Sequence, residues 1–281
     1  YVGSHATKQY ATVALSGDGG DETFGGYTKY KGEIWSKFLK RIPGKYLLKT
    51  LFKPLPDSHS TPLLNYLRMA KRFIMGLDES QPRRHFNWMI LFPPEQIKEL
   101  FTAEVLQAPG EREIGFKMVN RLFDEADEYD SFNKVLYTDI NFVLPYDMLT
   151  KIDTASMLNS LEVRSPFVDY RVIELSLQIP GKFKMGLFGG KKVIKETFSD
   201  ELPRSIRRRP KGGFGIPIGE WFRRDFKPIL MELLSEERVR RRGIFRPEAI
   251  KRIIELHLRG RRDYFWELWN LMVFEIWAEN Y

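Results

Sequence analysis

The sequence predicts a mostly helical protein built onto a small α/β element. Three observations predict it. Residues 12–15, Thr-Val-Ala-Leu, form a β-branched and aliphatic run that breaks into the loop Ser16-Gly17-Asp18-Gly19-Gly20-Asp21-Glu22 and then opens a helix. From residue 27 onward, apolar side chains recur at three- and four-residue steps over much of the chain. Hydrophobic residues at 43% and aromatics at 14% of 281 residues are ample for a sizeable core and exclude disorder.

The elements follow in order. Tyr27, Tyr30, Ile34 and Phe38 mark one face of a helix over 27–39, ended by Pro43-Gly44. A Pro-rich loop over 53–62 leads to helices over 63–75, basic on one face, and 84–91. A short helix starts at Pro93-Pro94 and ends near 101, and two more cover 115–125 and 132–143. A second, weak strand fits at 178–183. The C-terminal helix carries Trp266, Trp269 and Trp277 with Leu268, Leu271, Met272 and Phe274, a set that reads as core packing without chemistry.

Composition narrows the function. With no cysteine there is no disulfide scaffold, thiol nucleophile or Cys-based zinc site. His5, His59, His85 and His257 lack paired-ligand spacing and read as surface or packing residues. No apolar run approaches the ~20 residues that cross a bilayer, and no signal peptide is visible, so a cytoplasmic protein without membrane contact is expected. The chain starts without methionine and reaches its strand almost at once, as a fragment of a longer chain does. The net charge of +8 raises a nucleic-acid reading, with clusters at Arg207-Arg208-Arg209, Arg238 with Arg240-Arg241-Arg242, and Arg259 with Arg261-Arg262. These alternate with acids beside turns and bring no nucleic-acid motif. A solvated face or an anionic-ligand pocket explains them as well, and no nucleic-acid partner is expected.

The loop after the strand carries the chemistry. Three glycines within four positions let backbone amides approach a ligand with no Cβ in the way, and amides at a helix start favour phosphate oxygens. Asp18, Asp21 and Glu22 would repel a bare phosphate unless a hard cation sits between them, a demand that Mg²⁺ fits. The plainer alternative is a turn with Asp21 as a helix N-cap. The spacing is neither the dinucleotide fingerprint nor a Walker A loop.

Three further blocks stand out. In 144–157, Leu-Pro-Tyr-Asp-Met-Leu-Thr-Lys-Ile-Asp-Thr-Ala-Ser-Met, helical spacing makes Asp147 and Lys151 i,i+4 neighbours on one polar stripe with Thr154. Glu162 and Arg164 follow, either lining a site or forming a partly buried pair that pins the turn before Pro166. Gly189-Gly190-Lys191 opens a helix with a lysine set against an anion, with Lys192 as the alternative register. Arg209, Lys211, Gly213, Phe214 and Pro217 form an irregular basic loop, an anion site or a surface turn.

Together these blocks resemble the synthetase domain of glutamine-dependent asparagine synthetases. Leu15-Ser16-Gly17-Asp18-Gly19-Gly20-Asp21-Glu22-Thr23-Phe24-Gly25-Gly26-Tyr27 matches the family's second signature loop nearly residue for residue. The later blocks match its Leu-Pro-x-Asp-x-Leu-x-Lys helix, its Ser-Leu-Glu-x-Arg-x-Pro-Phe-x-Asp segment, its Gly-Lys helix start, with Lys195 in place of the usual arginine, and its Arg-x-Lys-x-Gly-Phe-x-x-Pro loop.

The resemblance implies a partial adenine-nucleotide α-hydrolase-like (ATP pyrophosphatase) fold with a large helical C-terminal portion, residues 1–281 being the C-terminal part of that domain. It implies ATP and Mg²⁺ as cofactors, and aspartate and glutamine-derived ammonia as substrates. The reaction is activation of the aspartate side chain as an adenylate. Ser16 and Gly17 would contact the nucleotide, with Asp147, Lys151 and Lys211 along it. Asp21 would hold Mg²⁺, Asp18 or Glu22 would orient the intermediate or the amine, and Lys191 would steady the phosphates. Asp18 is one methylene shorter than the glutamate of many relatives.

The family's Ser-Gly-Gly-x-Asp-Ser pyrophosphate loop and its N-terminal cysteine nucleophile occur nowhere in these residues. An N-terminal glutaminase domain is expected in the full-length chain, a homodimer is compatible, and the 281 residues alone are expected to be inactive. Two alternatives stay open: a related amidotransferase acting on another carboxylate, as in β-lactam synthetases or surface-polysaccharide amidation, and a non-catalytic basic helical binding module.

Overall fold

The computed structural model describes residues 1–40, 45–55, 62–108, 113–186, 189–209, 212 and 216–280. In chain order the helices are α1 Val2–Lys8, α2 Gly20–Phe24, α3 Thr28–Leu39, α4 Lys45–Phe52, α5 Pro62–Met75, α6 Gln81–Met89 and α7 Pro94–Leu100. Then come α8 Ala103–Gln107, α9 Ile114–Glu125, α10 Ser131–Asn141, α11 Thr150–Met157, α12 Tyr170–Gln178, α13 Gly181–Lys184 and α14 Lys192–Thr197. The last are α15 Arg204–Arg208, α16 Ile218–Arg223, α17 Lys227–Leu233, α18 Glu236–Arg242, α19 Pro247–Leu258 and α20 Phe265–Asn280. Two strands, β1 Val13–Leu15 and β2 Glu162–Arg164, pair in parallel with Ala14 opposite Val163. The parallel pairing uses the intervening helices as its crossover.

The chain divides into two compact units, one of residues 1–42, 80–85 and 113–212, the other of 43–79, 86–112 and 213–281. In the first, α10 packs against α2, α3, α9, α12 and α13. Asp130 starts α10 by accepting from the backbone N–H groups of Phe132 and Asn133, a side-chain cap that satisfies two otherwise orphaned donors. Tyr30, Phe132, Val135 and Leu136 are buried along it, and Tyr30 meets Phe132 edge to face at 5.9 Å. The second unit closes on one apolar cluster that joins Leu100 of α7 to α16–α20.

Most of the expected helices form close to where the apolar steps place them, and four features depart from expectation. The segment 178–183 is not a strand: α12 runs to Gln178 and Pro180 caps α13, since proline's fixed φ suits a helix entry. On α3 the buried face is Tyr30, Glu33 and Ser36, with Phe38 turned outward, because Glu33 is drawn inside by Arg84 and Gln81. On α20, Leu268, Leu271 and Met272 face the core while Trp266, Trp269 and Trp277 lie on the other side, 41–56% exposed. Residues 144–149 form a π-helical turn, not α-helix. Pro145 has no N–H to give, and the Thr150 hydroxyl donates to the Pro145 carbonyl at 2.7 Å, five residues back. Helices α1, α4, α8, α12, α13 and α15–α19 and strand β2 lie where the sequence reading places no element of that type. The Pro43-Gly44 stop and most of the 53–62 loop lie outside the described residues.

Candidate functional site

β1 delivers its loop in an open position. Ser16 N–H still donates to the Arg164 carbonyl at 2.9 Å, the last ladder bond before the chain leaves the sheet. The Ser16 hydroxyl then donates to Asp18 Oδ2 at 2.7 Å, and Asp18 N–H returns to Ser16 Oγ at 3.3 Å. The Ser165 hydroxyl, two residues before Phe167 in the turn after β2, donates to the Asp18 carbonyl. Gly17 has open space where a Cβ would project, so a ligand can approach its backbone.

Asp21 and Lys191, 170 positions apart, meet here: Lys191 Nζ lies 2.9 Å from Asp21 Oδ1, the side chains 31% and 16% exposed. Two glycines make this approach possible. A Cβ on Gly190 would overlap the Gly25 carbonyl oxygen, and one on Gly26 would overlap the Asp21 carboxylate. Lys191 N–H donates to the Phe24 carbonyl at 3.2 Å, and Lys191 itself adopts φ 55°, a left-handed conformation that L side chains rarely take. The helix after it starts at Lys192. Asp21 lies inside the first turn of α2, whose cap position belongs to Gly19. The N-cap alternative for Asp21 is therefore not what the structure shows.

Glu22 takes a different place from Asp18. Its side chain is 1% exposed and accepts from the Tyr27 hydroxyl at 2.6 Å. Burial raises the Glu22 carboxyl above the usual range, against the opposing hydrogen bond. Asp18 is only partly buried, so of the two carboxylates it is the one a ligand can reach.

Behind this loop sits a buried ionic cluster that the sequence did not announce. Asp139 of α10 accepts from Tyr30 at 2.5 Å, and lies 2.8 Å from Lys29 Nζ and 2.9 Å from His85 Nε2. Burial pushes its carboxyl up, but His85 and Lys29 outweigh that and hold it well below the usual carboxylate range. Arg84, from the same turn of α6 as His85, pairs with Glu33 of α3 at 2.7 Å.

The remaining expected residues are less tied to this geometry. Asp147 lies on the π turn and Lys151 on α11, both exposed; they form no ion pair, and Lys151 Nζ instead lies 3.3 Å from Met148 Sδ. The five-residue step of the π turn breaks the i,i+4 alignment that would join them. Glu162 and Arg164 do pair, at 2.6 Å, but on an exposed strand face and not as a partly buried pin. Lys211 falls outside the described residues. Among the described residues, no group of three or more His, Cys, Asp or Glu side chains is arranged to hold a metal by itself.

The comparisons with known proteins agree with the motifs. A family model described as asparagine synthase matches residues 1–279. The chain belongs to the asparagine synthase family. That domain has the adenine-nucleotide α-hydrolase-like fold, consistent with the helical body and small parallel sheet. The chain is 27% identical over 290 residues to asparagine synthetase [glutamine-hydrolyzing] 1 of Bacillus subtilis (strain 168), covering 99% of this chain and 42% of that protein. It is 26% identical over 280 residues to a putative asparagine synthetase [glutamine-hydrolyzing] of Mycobacterium tuberculosis (strain ATCC 25618 / H37Rv), covering 96% and 39%. A third relative, the asparagine synthetase [glutamine-hydrolyzing] of Gallus gallus, is 27% identical over 161 residues. The chain thus spans about two-fifths of the length of the first two of these asparagine synthetases. No solved structure matches it.

Proposed function

We propose that this chain forms one side of an ATP site in which an aspartate side-chain carboxylate is activated as an adenylate and aminated to asparagine by glutamine-derived ammonia. The observation that carries this reading is the Asp21–Lys191 pair beside the open Ser16–Asp18 loop. A carboxylate oxygen is a poor leaving group, whereas AMP is a good one. Transferring the adenylyl group to the carboxylate, with pyrophosphate leaving, makes the acyl carbon open to ammonia. The protein's share is charge neutralisation and alignment.

In this reading Lys191 lays its ammonium against the phosphates. The Ser16 and Gly17 backbone lies along the nucleotide. Asp18, free of the interior, orients the carboxylate or the incoming amine. Glu22 is spent on Tyr27 and holds the loop's shape. Mg²⁺ usually keeps several waters and takes one or two protein carboxylates plus substrate phosphates, so a single part-exposed Asp21 fits its demand. There it would neutralise phosphate charge. Asp147, Lys151 and Lys211 would contact the nucleotide or aspartate farther along. A glutaminase domain elsewhere in the full-length protein would supply ammonia.

Pyrophosphate release from ATP with aspartate tests the proposal. The full-length protein is expected to show it and Lys191→Ala to lose most of it. The 281-residue chain, which lacks the Ser-Gly-Gly-x-Asp-Ser loop, is expected to show none. Undiminished release by Lys191→Ala would overturn the phosphate role.

A further inference from the structure

The first unit encloses a lysine that the proposed reaction does not use. Lys184, the last residue of α13, has no solvent exposure, and its Nζ donates to Asn133 Oδ1 at 2.9 Å. Burial lowers its pKa to about 8, against the attraction of Asp130. A methionine would fill a similar volume without the desolvation cost of an ammonium group, so packing alone does not account for a lysine here.

What Lys184 holds is visible in its neighbours. The first turn of α10 grips the segment from the end of α12 through α13 at several points. Asn133 Nδ2 donates to the carbonyls of Leu177 and Ile179, both at 2.9 Å, and Asp130 Oδ2 accepts from Gly181 N–H at 2.8 Å. Lys184 completes the grip at the far end of α13. The chain then passes Met185, whose methyl group lies against Gly190, and Gly186, whose N–H donates to the Gly189 carbonyl at 2.9 Å. It next presses Gly190 onto Gly25 and reaches Lys191 in its left-handed conformation. A strained residue persists only where its surroundings over-determine it.

We propose that Lys184 is a positioning residue: anchored on Asn133, it fixes Met185 and Gly186 against Gly189 and Gly190, which lead into Lys191, and so holds the Lys191 amine on Asp21. The geometric claim stands without any role for Lys191 in catalysis; only its consequence for ATP chemistry rests on the proposed function.

The test is the rate at which an amine-acylating reagent labels Lys191 in the full-length protein, read by peptide mass spectrometry. Lys192 and Lys195 serve as internal controls, and Asp21→Asn marks the rate of a released Lys191. Lys184→Met is expected to raise Lys191 labelling roughly two- to tenfold, the lower part of the range over which coupled residues interact, and to leave Lys192 and Lys195 unchanged. Unchanged labelling of Lys191, or an equal rise at all three lysines as in general loosening, would overturn the proposal. If Lys184→Met does not fold, Lys184→Leu, which likewise has no donor for Asn133, carries the same comparison with the same outcomes. Failure of the proposed function would look different: pyrophosphate release undiminished in Lys191→Ala, with the labelling result intact.

Discussion

The second unit closes on an apolar cluster running from Leu100 to Met272, with His257 and Glu275 its buried polar side chains among the described residues. The first unit instead buries Glu22, Glu33, Arg84, His85, Asn133, Asp139 and Lys184 among its apolar residues. An apolar interior stabilises roughly in proportion to area and is tolerant about orientation. A buried ion pair gains little net stability over a well-packed apolar pair, yet it fixes distances and directions and is costly to break. The unit with the polar interior is also the one that carries the Ser16–Glu22 loop and Lys191. The difference teaches where this protein spends stability on geometry. Exposed pairs such as Arg240–Glu236 and Arg252–Glu99 belong to neither scheme and contribute ~0–1 kcal/mol each.

The comparison can be broken first at Asp139. Asp139→Ala leaves His85 and Lys29 without their buried partner and is expected to lower the unfolding free energy by ~3–5 kcal/mol in urea titration. A loss no larger than that of an exposed ion-pair variant would show that the polar interior is not holding the fold. Asp21→Ala is expected to reduce ATP-dependent pyrophosphate release ~10²–10³-fold with little change in melting temperature, since its carboxylate is part-exposed and outside the apolar core. In the other unit, Leu268→Ala is expected to cost about 3 kcal/mol of stability while the kcat of the folded fraction is kept, the reverse pattern. Equal effects of the Asp21 and Leu268 substitutions on kcat would erase the distinction.

The smallest effects are in pH. The depressed Asp139 carboxyl contributes stability that is present above the unfolded value of ~3.9 and is lost as pH falls through the folded value, so Asp139→Asn is expected to flatten acid unfolding. Lys184 acts at the other end. Its folded pKa of about 8 lies below the unfolded value of ~10.4, so the unfolded chain binds more protons in between and stability rises with pH across that window. Lys184→Met is expected to remove that rise, and a persisting rise would mean that another group titrates there.

Much of the fold was legible because apolar periodicity encodes single helices well: α3, α5, α7, α9 and α10 all lie near the expected positions. The Asp21 and Lys191 loops were legible because glycine followed by charge is a local signal, and their backbones do cross at Gly25–Gly26 and Gly190. Features set by distant partners were not. β2 is three residues, Glu-Val-Arg, which pair as a strand only because β1 lies alongside. Asp139, His85 and Arg84 sit on amphipathic helices, where an isolated charge reads as surface until the opposing helix is known. The tryptophans of α20 misled because a helix apolar on every side does not say which face is inside. The π turn hides from periodicity because hydrogen-bond register is not written in side-chain polarity.

One measurement tests the central claim most directly. Aspartate carrying ¹⁸O in its side-chain carboxylate is turned over by the full-length protein with ATP and glutamine, and the products are read by mass spectrometry. If the loop brings carboxylate and triphosphate together for adenylation, one ¹⁸O appears in AMP and none in pyrophosphate. Label in inorganic phosphate, or AMP free of ¹⁸O while asparagine forms, would contradict it.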